Sequence, residues 1–84
     1  MHAYDLSEIE DLYRKYAAKD DQESFQKMQS ILNAIRYDLR MDIPVQLEYR
    51  EGLDEPMVMR KLSNERDLER WIDQRFIRFR EDSQ

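Results

Sequence analysis

The apolar residues of this chain change their period once, and that change limits the possible folds more than any other feature. Up to Leu39 they recur at three- and four-residue spacings, and from Val45 to Tyr49 they alternate with polar residues, with Pro44 at the switch. A chain patterned in this way places helices first and a strand after them. It is therefore expected to fold as an α+β domain.

Leu6, Ile9, Leu12, Tyr13, Tyr16 and Ala17 form the stripe of a first amphipathic helix. Asp5 is a candidate N-cap, Glu8 stands three residues on in the capping-box position, and Tyr4 and Ile9 occupy the two places of a hydrophobic staple. Residues 18–22 break the period and offer a new N-cap at Asp20 or Asp21, so a short helix-to-helix turn is expected. Phe25, Met28, Leu32, Ile35 and Leu39 then follow a 3-4-3-4 spacing, widened by Ile31, Ala34 and Met41. This predicts the longest helix over residues 21–41.

Asp42 and Pro44 end that helix, because proline disfavours a helical residue before it and has no N–H to donate. Val45, Leu47 and Tyr49 alternate with Gln46, Glu48 and Arg50 as a half-buried strand. Residues 51–56 carry loop chemistry and lead into a second strand over residues 57–62, which makes an antiparallel hairpin. Ser63 is a candidate N-cap for a last helix with Leu68, Trp71, Ile72, Phe76 and Phe79 on one face. The expected order is ααββα, in a single domain over residues 1–84, with helices packed on a two-stranded hairpin.

An 84-residue chain buries only about 60% of the surface exposed when unfolded, so there is room for one modest core. The absence of cysteine rules out disulfides and removes the commonest ligand of structural zinc. Self-association is then the remaining device for stabilising a small fold. Met28, Ile31, Leu32, Ile35 and Leu39 are the candidate residues for a homodimer interface. The opening residues have no signal-peptide pattern, and no apolar run approaches the ~18 residues of a membrane helix. A cytoplasmic protein without a membrane contact is expected.

The sequence offers little for catalysis. Its only histidine is His2, beside a terminus expected to fray, and this removes most nucleophile–base templates. Its single glycine excludes a glycine-rich phosphate loop. Asp5, Asp20, Asp21 and Glu65 fall at helix starts, where the helix dipole favours negative charge without further function. No calcium-loop spacing surrounds Asp54 and Glu55. The expectation is a non-enzymatic protein with no cofactor and no metal.

Binding is the better-supported class. The chain holds nine aromatic residues and five methionines, and arginine outnumbers lysine, which are biases of protein interfaces. Candidate contacts are Tyr37 on the long helix, Trp71, Arg75 and Arg78 on the last helix, and the acidic group Glu51, Asp54 and Glu55 at the hairpin tip. With a net charge of −5, the chain suits a larger protein with a basic surface, such as the nucleic-acid channel of a nuclease or polymerase. Small phage-encoded anti-defence proteins, anti-CRISPR proteins among them, act in this manner, and the chain is similar to them in size and charge alone. Two alternatives stand beside this inhibitor or regulator reading. One is a dimerising assembly or adaptor subunit, and the other is nucleic-acid binding through the arginine- and aromatic-rich last helix.

Overall fold

The computed structural model describes residues 1–49 and 58–83. Its elements run β1 (His2–Asp5), α1 (Leu6–Lys19), α2 (Gln22–Arg40), β2 (Val45–Tyr49), β3 (Val58–Leu62), α3 (Glu65–Arg75) and α4 (Ile77–Asp82). The fold is α+β, but the order differs from ααββα at both ends. A strand precedes the first helix, and the last helix is two.

The two-stranded hairpin is part of a three-stranded mixed sheet in the order β1-β2-β3. β1 runs parallel to β2 with Tyr4 opposite Leu47, and β3 runs antiparallel with Leu62 opposite Val45. A parallel pair cannot be joined by a tight turn, and here α1 and α2 together form the crossover. The ladder begins where the His2 N–H donates to the Pro44 carbonyl at 3.0 Å. His2, expected at a frayed terminus, is thus paired into the sheet. Val45, Leu47 and Leu62 are buried on the face that the helices cover, while Met59 and Lys61 are exposed on the other face.

Helix boundaries follow their caps. The Asp5 carboxylate accepts from Ser7 N at 2.8 Å and starts α1. Asp20 closes it in the left-handed conformation at φ 53°, with its N–H on the Tyr16 carbonyl, and Asp21 opens α2 by accepting from Glu23 N and Ser24 N. α2 ends in a Schellman motif: Asp42 takes φ 59°, its N–H donates to the Leu39 carbonyl at 3.1 Å, and Ile43 N donates to the Asp38 carbonyl at 2.8 Å. The cap of α3 is Asn64 and not Ser63. Asn64 Oδ1 accepts from Asp67 N at 2.9 Å, while Ser63 N donates to the Asp67 carboxylate.

The break between α3 and α4 falls on Phe76, whose φ of −130° and ψ of 59° leave the helical region. Its ring lies 4.9 Å from Tyr13 and 5.0 Å from Trp71, both edge-on. The break leaves the Arg78 N–H without a helical partner, and Tyr13 Oη accepts it at 3.3 Å.

The core collects residues from every helix and from β2 and β3. Met28, Leu32 and Ile35 are fully enclosed, Leu39 is buried, and Ile31 packs half-buried against them. Of these five residues, expected at a self-interface, four are core positions within one chain and Ile31 stays partly open. The stripe of α2 is covered within one chain by α1 and α3.

Candidate functional site

Two adjoining clefts lie on the side of the sheet where α1 faces the end of α3. The larger, about 660 Å³, runs between Glu10, Asp11, Tyr13 and Arg14 on α1 and Gln74 and Arg75 on α3, with Tyr49 at the end of β2. The smaller, about 350 Å³, shares Tyr49, Gln74 and Arg75 and has Leu6, Leu47 and Trp71 as its floor, with Arg60 of β3 on its rim. Both fall within the range of small-ligand and side-chain pockets. Period-two alternation puts residue 60 on the helix-facing side of β3, opposite Leu47, where a core residue would be expected. It is instead an exposed arginine.

Arg75, expected as a contact, belongs to both clefts and is exposed, with one guanidinium nitrogen 3.2 Å from the Glu10 carboxylate. Trp71, also expected as a contact, is 1% exposed and packs against Phe76, so it is a core residue whose side chain forms cleft floor. Arg78 is engaged inside the chain. It donates to the Ala17 carbonyl, pairs with Asp20 and Asp82, and stands 5.1 Å over the buried Tyr16 ring. Tyr37 is 61% exposed on α2, and Met41 is exposed one turn further on, apart from the residues that line the clefts. Glu51, Asp54 and Glu55 lie outside the described residues.

The remaining charge on the last helices is largely internal. Glu69 receives Arg36 Nε at 2.8 Å and also pairs with Arg80, which bonds Asp73 at 2.7 Å, tying α2, α3 and α4 together. Burial raises the Glu69 carboxyl, but the two guanidiniums outweigh it and hold the group below its ordinary value. Trp71, Phe76 and Phe79 are buried, Arg78 and Arg80 are held in ion pairs within the chain, and Arg75 has one nitrogen on Glu10, while Arg66 and Arg70 are exposed; the aromatic rings therefore do not share a surface with these arginines.

One polar cluster was not legible in the sequence. Asp38, buried on α2, accepts from the Tyr4 hydroxyl at 2.5 Å and lies 2.9 Å from His2 Nδ1, both through Oδ2. The Tyr4 hydroxyl is the largest cause holding Asp38 below the usual carboxylate value, against burial, with His2 adding to it. Burial and the adjacent carboxylate push the Tyr4 phenol up to about 12. That makes Tyr4 a weaker acid, the reverse of an activated nucleophile. The cluster clips β1 to α2.

Among the described residues no group of three or more histidine, cysteine or carboxylate side chains could hold a metal ion. No described helix is long and apolar enough to cross a membrane. The fold and clefts define a small α+β domain with helices against one face of a three-stranded mixed sheet. No known protein family, curated protein or solved structure matches the chain.

Proposed function

We propose that this chain is a non-enzymatic protein-binding domain that docks through the paired clefts between α1, α3 and the sheet. The observation that supports this reading is their make-up: Tyr13, Tyr49, Gln74 and three arginines, with Glu10 and Asp11 in the larger cleft, surround an apolar floor. Tyrosine and arginine over an enclosed apolar centre are the chemistry of interface anchors. The concrete form of the reading is an inhibitor or regulator of a larger nucleic-acid-processing protein. Its support is the net charge of −5, which would steer the domain toward a basic surface.

The test is a cross-linked capture from cell lysate with three versions of the chain: unaltered, Tyr49→Ala and Tyr37→Ala. A partner docked in the clefts should be retained by Tyr37→Ala and weakened roughly tenfold or more by Tyr49→Ala. Loss through Tyr37→Ala with Tyr49→Ala unaffected would move the interface to α2 and overturn the reading. A partner that also elutes with rising salt would support the basic-surface form.

A further inference from the structure

The smaller cleft is a local exception to the charge of the molecule. The chain is acidic overall, yet among the described residues the lining of this cleft carries two guanidiniums, Arg60 and Arg75, and no carboxylate. Its floor is Leu6, Leu47 and Trp71. A cation pair above an apolar floor selects a group that is anionic at one end and apolar at the other. Its volume of about 350 Å³ is that of one or two side chains, at the lower end for a binding pocket.

Arg60 has a simpler explanation to overcome. β3 is an edge strand, and an inward-pointing charge on an edge is a common device against strand-to-strand aggregation. That device requires one charge at Arg60. It does not account for Arg75, which reaches the same cleft from a different element and is only partly engaged by Glu10. Two guanidiniums from separate elements line one small cleft, and the one pairing given for Arg75 uses a single nitrogen, so the rest of its fork is open to a second carboxylate.

We infer that the smaller cleft is a receptor for an acidic side chain of a partner polypeptide, flanked by an apolar or aromatic residue, with the carboxylate between Arg60 and Arg75 and the apolar group on the Leu6–Leu47–Trp71 floor. The inference rests on the docking reading above and names its anchor. The partner's acidic residue supplies local specificity, while the net negative field of the domain acts at longer range.

The probes are two blocked peptides, acetyl-Gly-Phe-Glu-Gly-amide and its Phe-Gln counterpart, with N-acetylphenylalanine as the free small acid. Binding is read by amide and indole chemical shifts, with the Trp71 indole as reporter. The glutamate peptide should bind roughly fivefold more tightly than the glutamine peptide, as expected for an exposed carboxylate–arginine pair. Arg60→Gln should remove that difference while leaving the melting temperature unchanged, because the side chain is exposed. The free acid should bind no better than the glutamate peptide, since the site is assigned to a polypeptide.

Equal binding of the two peptides, shifts confined to residues outside the cleft, or an Arg60→Gln variant that aggregates but keeps the peptide preference would each overturn the inference. The last result would return Arg60 to edge protection. If the peptides fail while Tyr49→Ala still loses the captured partner, the carboxylate anchor alone is wrong. If Tyr49→Ala loses nothing, the docking reading falls as well.

Discussion

Asp38 has the most consequential environment of any single side chain, since it is a buried carboxylate whose two side-chain partners both come from β1. Asp38→Asn keeps the shape but loses the charge-assisted bonds, and should lower stability at neutral pH by about 1–2 kcal/mol in urea unfolding. The pH dependence follows from the direction of each shift. The Asp38 pKa is lowered in the folded state, so its contribution is full above the ordinary carboxylate value and is lost as pH falls through the lower folded value. The gap between the unaltered chain and Asp38→Asn should therefore close in acid. Tyr4 works in the opposite sense. Its folded pKa of about 12 lies above the ordinary 10, so its contribution is whole below pH 10 and is lost as pH rises toward 12. Alkaline unfolding curves should show this loss in the unaltered chain and not in Tyr4→Phe. An unchanged alkaline difference between the two would show that Tyr4 Oη does not face Asp38 in solution. None of this was legible at residue scale, because His2 and Tyr4 both stand more than thirty positions from Asp38 and only the parallel pairing of β1 brings them to it.

The elements that sequence reasoning located are those with a long enough period to show. α1, α2 and β2 carry their apolar spacing over their whole length, and their ends are set by Asp5, Asp21 and Pro44 as the residue types imply. β1 has four residues and one half-buried side chain facing the core, Tyr4, which is too short to display alternation. The α3–α4 break was hidden for another reason. Ile72, Phe76 and Phe79 keep helical spacing across it, and the departure at Phe76 depends on Tyr13, which lies on a different helix. Positive φ also falls where no glycine advertises it, at Asp20 and Asp42. A left-handed residue with a Cβ is disfavoured by roughly 1 kcal/mol, less for aspartate than for most, and glycine is the usual occupant of the position after a helix. Asp42→Gly should therefore raise stability by about 0.5 kcal/mol, read as a higher urea midpoint at unchanged slope. A lower midpoint would mean that the Asp42 side chain makes a contact of greater value than the conformational relief.

At the scale of the whole molecule, the sequence and the structure differ most on what the α2 stripe is for. Composition made a second subunit an attractive remedy for a small core, and the 3-4 spacing of Met28, Leu32, Ile35 and Leu39 was compatible with one. Spacing alone cannot say which neighbour covers a stripe. In the fold the cover comes from α1 and from the α3–α4 pair, which bends at Phe76 so that Trp71, Phe76 and Phe79 all reach the interior. The candidate site was legible to the same limited degree. Arg75 could be read as a contact from its residue type, whereas Tyr13, Tyr49 and Arg60 join it only because the sheet and helices meet there. The large exposed apolar side chains of the described residues are Met1, Tyr37, Met41, Met59 and Ile77, carried on four different elements or their ends, and only Tyr37 and Met41 stand on one helix face. Light scattering should accordingly give a monomer across micromolar concentrations, with a melting temperature independent of concentration. Leu32→Glu separates the two accounts at the level of the fold. A carboxylate placed at a fully enclosed position should cost more than about 4 kcal/mol and leave the chain unfolded by circular dichroism. A Leu32→Glu chain that stays folded and merely loses a dimer would return the stripe to the interface, and the packing of α1 and α3 against it would have to be wrong.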